Sequence, residues 1–328
     1  MTEENKKVDE IVEILKNQNM FFILSHVDPD GDAIGSLLAL SLGLLRIGKH
    51  VWPFIHKPLR LPYVGLDADK ILRLELPKVL DEYVCVALDC ASENRLGEVS
   101  KHLHSFKKVI NIDHHKTNTL FGHVNWVDPE ASCVGEMLFW ILKGLGIPFD
   151  KDMWGNIYYA IQTDTGGFRF DNTSKRALAI AHCLVEEGVV PWEVFSKTSN
   201  ARKVEAFKLL CEGIKQLEFY NGGSLCLVVF FKEDFEGCHA ELEDSEDMIE
   251  LFRELHGVQV MVLAREIRAG RFKFSLRSKA GLDVSQIALR YGGGGHRSAA
   301  GFELAGDWEE IKTEVIQGLL AQMGDGVH

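Results

Sequence analysis

The chain has 328 residues, 46% hydrophobic and 26% charged, which makes it globular and long enough for two domains with cores that need no staples. Its formal net charge of −12, from 36 basic and 48 acidic residues, opposes long-range capture of an extended polyanion and so excludes a typical binder of long DNA. A small phosphorylated ligand in a locally positive, metal-loaded cleft stays compatible with that charge.

In chain order, residues 8–16 form an amphipathic helix pattern and residues 20–25 (MFFILS) a buried strand run. Residues 33–46 are helical in pattern, and 51–55, 84–88 and 108–112 are further strands. Two helices follow, over 134–143 and 152–162. Short apolar runs alternating with helices predict an open α/β sheet, mostly parallel and flanked by helices. From 173 to 219 the pattern is nearly all helical, with Pro191 at a helix start and 201–217 as a connecting helix. After Asn221-Gly222-Gly223 comes a strand at 225–231. A hairpin of 258–267 and 272–277 follows, then a helix over 284–291, a glycine cluster and a last helix over 308–320. This predicts an N-terminal domain over 1–190, a helical linker over 191–219 and a smaller C-terminal α/β domain over 220–328.

The seven cysteines are odd in number, scattered and without a C-x-x-C pair. That fits a reducing compartment and argues against both a disulfide framework and a structural zinc site. No run reaches the roughly 18 apolar residues of a membrane span, and the opening MTEENKKVDE has no secretory core. The expected location is cytoplasmic, with no membrane partner.

The chemistry-bearing residues gather just past the ends of predicted strands. His26-Val27-Asp28-Pro29-Asp30-Gly31-Asp32 follows the first strand, Asp89 ends VCVALD, and Asp113-His114-His115 ends KKVINI. Asp164 closes a helical run before Gly166-Gly167. Taken singly, each has an ordinary reading: a turn and helix start, a strand-end cap, exposed histidines, a helix end. Taken together, they lie where an open α/β sheet binds its ligand. Imidazole and carboxylate donors without thiolate suit Mn²⁺, and Zn²⁺ or Co²⁺ less selectively. Their number exceeds the needs of one ion and fits a pair about 3.5–4 Å apart, with one shared carboxylate.

These segments strongly resemble the DHH phosphoesterase superfamily: His26-x-x-x-Asp30-x-Asp32-Ala33-x-Gly35-Ser36, Leu88-Asp89-Cys90-Ala91, Asp113-His114-His115 and Thr163-Asp164-Thr165-Gly166. Ser275-x-Arg277-Ser278 and the run from Gly292 through His296 to Gly301 resemble the DHH-associated domain. In length, the chain is most similar to the bacterial nano-RNase and pAp phosphatase group. The resemblance implies that His26 and Asp30 hold a first ion, that Asp32, His114 and Asp164 hold a second, and that Asp89 bridges them. It implies that His115 faces the phosphate or leaving oxygen, with Asp113 orienting its neighbours. Divergence of adjacent side chains at a strand end agrees with separate tasks for His114 and His115.

A glycine run alone reads as a flexible loop or as an anion-binding nest. With Arg277 and His296 in the same small domain, the resemblance favours a phosphate or nucleotide-end clamp. Its candidate members are Ser275, Arg277, Gly293, Gly294, Gly295 and His296. Arg169 and Arg265 are weaker candidates for the clamp, each read first as an ordinary surface or ion-pair arginine. Tyr291 is read as core ahead of a base-stacking role, Cys90 as a buried structural residue and Asp28 as turn chemistry. The implied activity is metal-dependent hydrolysis of short RNA oligonucleotides, in the manner of an exonuclease-type oligoribonuclease, with pAp as a second substrate. It proceeds by attack of metal-activated hydroxide on phosphorus. The implied cofactors are two divalent ions, Mn²⁺ ahead of Mg²⁺ or Co²⁺. The alternatives are a cyclic-di-AMP or linear-dinucleotide phosphodiesterase and, in another class, a non-catalytic nucleotide-binding regulator. Oligomeric state stays open, a homodimer among the options.

Overall fold

Every residue of 21–24 and 84–88 is apolar, so these strands have no face to offer water. The structure, a computed structural model, covers both with helical layers. It describes residues 3–59, 70–199, 203–279 and 282–324; at 3–5, 198, 199 and 296 it describes the backbone alone. The chain divides into two units, Met1–Ala201 and Arg202–His328.

The first unit begins with helix α1 (Glu3–Asn17), strand β1 (Met20–Leu24), α2 (Gly31–Arg46) and β2 (His50–Pro53). It continues with β3 (Val84–Leu88), an irregular 3₁₀ segment (Glu93–Ser105), β4 (Lys108–Asp113) and β5 (Val124–Val127). Helices α3 (Val134–Gly144), α4 (Lys151–Asp164), α5 (Lys175–Glu186) and α6 (Pro191–Ser199) complete it. The five strands are all parallel, in the order β2-β1-β3-β4-β5. Period-two alternation splits their side chains between two cores. Phe21, Ile23, Val84, Val86, Ile110 and Ile112 pack under the main helices, while Phe22, Leu24, Cys85 and Val109 pack under Leu96, Val99 and Phe106. The order reverses between β2-β1 and β3, and a sheet of this order binds its ligand at that switch point, beyond the carboxyl ends of β1 and β3.

The second unit holds α7 (Val204–Lys215), β6 (Glu218–Tyr220), β7 (Leu225–Phe230), α8 (Lys232–Cys238), α9 (Met248–Arg253), β8 (Val260–Arg268) and β9 (Arg271–Ser278). It closes with α10 (Val284–Arg290), β10 (Gly294–His296), β11 (Ala299–Ala305) and α11 (Trp308–Gly324). Its mixed sheet runs β10-β11-β9-β8-β7-β6, with β7 and β8 parallel and the other pairs antiparallel. Helices α10 and α11 cover one face; α7, α8 and α9 cover the β7–β8 part of the other. Of the segment 191–219, α6 packs on α4 in the first unit and α7 on β7 and α8 in the second. Residues 201 and 202 of the expected connecting helix lie outside the described residues.

Several elements differ from the sequence reading. Strand β5 carries Asn125 between Val124 and Trp126, which hid it. The expected glycine loop is strand β10, paired with β11, and β11 was not foreseen because Ala299, Ala300 and Gly301 carry little side chain. A Cβ on Gly293 would stand 2.1 Å from the Gly301 carbonyl oxygen, so close approach explains the glycine there. Among the described residues no helix is long and apolar enough to cross a membrane.

Candidate metal centre

Asp89 follows the last residue of β3 with φ at +50°, a left-handed backbone that aspartate tolerates better than most residues. Its amide donates to the Ile112 carbonyl at 3.0 Å, so pairing with β4 continues while the chain turns. The turned carboxylate is 2% exposed and meets three imidazoles. His26 Nε2 stands 3.6 Å from Oδ2; His114 Nε2 and His115 Nδ1 each stand 3.5 Å from Oδ1. Donor atoms of Asp89, His114 and His115 lie within 4.8 Å of one another, as do those of His26, Asp30 and Asp89. Asp89 is common to both groups. Burial alone would raise its pKa, but the three histidines outweigh burial and hold it at about 2.

The donor set fits divalent ions. Asp89 Oδ1 and His26 Nδ1 are buried without a hydrogen-bond partner. Separations of 3.5–3.6 Å are too long for good hydrogen bonds. They match the roughly 3–4 Å between nitrogen and oxygen donors that each lie about 2.0–2.2 Å from one ion.

The flanking elements hold these groups in place. Asp30 caps α2, its Oδ1 accepting the Ala33 amide at 3.0 Å. Asp32, one turn further on, accepts the amides of Val134 at 2.7 Å and Gly135 at 3.0 Å, and the Ser36 hydroxyl at 2.8 Å. The start of α3 thus holds its carboxylate. His114 shares a contact of 3.3 Å between Nδ1 and the Ala131 carbonyl, which turns Nε2 toward Asp89 and toward Asp164 Oδ2 at 3.9 Å. Burial opposes a charge on His114, yet Asp164, Asp89, Asp32 and Asp113 lift its pKa to about 9. Asp164, the last residue of α4, is also bonded by Asn172.

Asp113 is fully buried and accepts from His115 Nδ1 at 2.7 Å and from Asn118 at 2.6 Å. The His115 nitrogen that faces Asp89 is therefore already engaged by Asp113. His114 and His115 do not diverge as adjacent strand residues would; they lie past the end of β4, and both turn to Asp89 Oδ1. Asp32 and Asp164 belong to neither three-donor group. Asp28 is exposed and lies 3.6 Å from Lys57, and Cys90 is buried with its thiol on the Ser92 carbonyl.

Sequence reasoning missed the residues behind the donors. Asn118 bridges Asp113 to Asn111, a polar side chain alone inside the apolar β4. That isolation was the available signal. Glu136 is 1% exposed and binds the amide and hydroxyl of Ser132 and the guanidinium of Arg176, fixing the turn that presents Val134 to Asp32.

In the second unit, Ser275 and Arg277 alternate with core residues on β9 and share the face opposite Phe274 and Leu276. Arg277 Nε pairs with Glu250 at 2.5 Å. Gly294 and Gly295 lie on β10; the side chain of His296 lies outside the described residues. Arg265 is neither a surface nor an ion-paired arginine: it is 3% exposed, and Nη2 donates to the Ser275 hydroxyl at 3.0 Å. Tyr291 packs on Phe302 beside the core, with ring centroids 4.8 Å apart.

Residues 20–161 match the DHH family, N-terminal domain, and residues 228–323 match the DHHA1 domain. A protein of Thermus thermophilus named bifunctional oligoribonuclease and PAP phosphatase NrnA is 34% identical, over 97% of this chain and 95% of its own. The chain belongs to the DHH family. The first matched range takes in every candidate metal ligand named above except Asp164. A Bacillus subtilis protein of the same name is 26% identical over 92% of this chain and 94% of its own. In fold, the DHH chain is similar to an exopolyphosphatase-related protein of Bacteroides fragilis, with a TM-score of 0.90, 25% identity and 98% of each chain covered. It shares a fold with a Mn²⁺ complex of Thermus thermophilus RecJ at a TM-score of 0.57 and 17% identity, over 94% of this chain and 54% of that one.

Proposed function

We propose that the chain is a metal-dependent phosphoesterase that hydrolyses short oligoribonucleotides and adenosine 3′,5′-bisphosphate (pAp). The observation that carries this is the buried Asp89 carboxylate, faced by three imidazoles at 3.5–3.6 Å with Oδ1 unsatisfied. The names of the NrnA relatives support the substrates. His26 and Asp30 hold one ion, Asp32, His114 and Asp164 hold another, and Asp89 serves both. Bound divalent ions, Mn²⁺ by the mixed nitrogen and oxygen donors, supply Lewis acidity that activates water and neutralises charge on the phosphoryl group. Asp113 fixes the His115 ring through Nδ1, so that its Nε2 meets the phosphate or protonates the leaving oxygen. Ser275, Arg277, His296 and the backbone of Gly293, Gly294 and Gly295 bind the nucleotide. With a net charge of −12, affinity comes from local contacts to a few nucleotides, and a longer strand adds little.

The test is a turnover panel on the full chain after chelation and reloading with Mn²⁺, Mg²⁺ or Co²⁺. The substrates are pAp, a diribonucleotide, a 20-mer and a cyclic dinucleotide. The reading expects Mn²⁺ to restore the most activity, with the diribonucleotide and pAp ahead of the other two. Equal cleavage of the 20-mer would remove the short-substrate preference. Faster turnover of the cyclic substrate would make the chain a cyclic-dinucleotide phosphodiesterase. Absence of hydrolysis with every ion would reject the enzyme reading.

A further inference from the structure

Among the described residues, Arg265 is the sole buried arginine or lysine. No carboxylate pairs with it, and its Nε and Nη1 groups are buried without a hydrogen-bond partner. Nη2 alone is engaged, donating to Ser275 Oγ at 3.0 Å. A buried guanidinium without a counter-ion opposes folding, and hydrophobic replacements of buried ionic groups are often neutral or stabilising. Burial also draws its pKa below the usual arginine value, with Glu246 only partly compensating. A charge kept at such a cost has a use outside the core.

Ser275 indicates that use. Its oxygen accepts from Arg265, so its own O–H is oriented to donate elsewhere. Ser275 is half-buried on the same face of β9 as Arg277, and across the ladder it faces Gly301, which has no side chain to cover it. Glu250 faces Arg277 from α9. The cluster thus presents a hydroxyl donor and an arginine side by side, with a second, buried positive charge beneath them that Glu246 offsets only in part.

We propose that Arg265 is a positioning residue for a nucleotide phosphate. It fixes Ser275 so that the hydroxyl donates to a phosphate oxygen beside Arg277, and its buried charge is fully complemented only when that phosphate arrives. This rests on the phosphoesterase reading and deepens it by assigning a phosphate subsite to Arg265 and Ser275.

The experiment measures binding of 5′-AMP to the full chain, with adenosine as the uncharged control, together with the melting temperature. Arg265→Met is expected to weaken AMP about ten- to a hundredfold, the scale of a lost charge-assisted hydrogen bond, and to leave adenosine unchanged. Its melting temperature should equal or exceed that of the wild type, because an unpaired buried charge has gone. Ser275→Ala should weaken AMP in the same way, and the double variant should be no weaker than the worse single one, since the two residues act as a unit. Wild-type AMP affinity in Arg265→Met overturns the proposal, as do additive losses in the double variant. Failure of Arg265→Met to fold, or a clear drop in its melting temperature, would make Arg265 a structural charge and also overturn it. If the wild type hydrolyses the substrate panel, these outcomes sink this inference alone. If it neither hydrolyses the panel nor binds AMP, the phosphoesterase reading falls as well.

Discussion

The Asp32 carboxylate accepts the Val134 amide at 2.7 Å across 102 residues of sequence. Through this bond and its neighbour at Gly135, the first turn of α2 is tied to the first turn of α3. Glu136 holds the same turn from behind through Ser132 and Arg176. The acidic groups are therefore placed by helix packing, and their positions depend on how closely the helices approach.

Gly35 sets one such approach. A Cβ there would lie 2.7 Å from the Asn156 backbone carbonyl of α4, an atom that cannot swing aside. Gly35→Ala should destabilise the protein by about 1–3 kcal/mol, the usual cost of overpacking. It should also reduce activity, because α2 carries Asp30 and Asp32 while α4 ends in Asp164. Urea unfolding and turnover on the same sample measure both effects. Unchanged stability would show that α2 and α4 have slack.

The two adjacent histidines should separate experimentally. His114 is set by the Ala131 carbonyl to offer Nε2 to Asp89 and Asp164, whereas His115 is engaged by Asp113. His114→Ala should lose bound metal. His115→Ala should keep its metal and lose turnover. Metal analysis beside kinetics decides this, and an equal loss of metal in both variants would make His115 a ligand.

Much of this was legible in the residues. The limits of β3 agree with the sequence reading because an unbroken apolar run between polar residues has few alternatives. The DHH motifs placed His26, Asp30, Asp89, His114 and His115 in one neighbourhood, and the structure gathers their donor atoms around Asp89. The unread parts depend on tertiary contacts. Gly294 pairs through its backbone, which leaves no side-chain pattern to detect. Arg265 looked like a surface residue because nothing local reveals that it is buried or that α8 and α9 pack on β8. Asp32 shows in sequence only as a helix-start carboxylate, and its partners in α3 appear only once the chain has folded.

Metal affinity should depend on pH in a defined direction. Burial, reinforced by Asp89, raises the Asp32 pKa to about 7, and the surrounding carboxylates bring His114 to about 9. In the ion-free site Asp32 gains a proton as pH falls through about 7 and His114 keeps one up to about 9, and an ion must displace them, so affinity rises with pH through that range. Calorimetric titration with Mn²⁺ near neutral pH, in two buffers of different ionisation enthalpy, should reveal proton release. Identical heats in both buffers, with affinity unchanged at higher pH, would contradict these protonation states.

Asp89→Asn tests the shared-carboxylate site most directly. The substitution keeps the shape of a side chain that is 2% exposed but removes the charge on which the two donor groups converge. Bound Mn²⁺ per chain and turnover of pAp and a diribonucleotide should be measured together at saturating Mn²⁺. The expected result is two ions in the wild type, fewer in Asp89→Asn, and loss of nearly all turnover in a folded protein. An Asp89→Asn protein with full metal content and a rate near that of the wild type would contradict the assignment of Asp89 as the carboxylate shared by both ions.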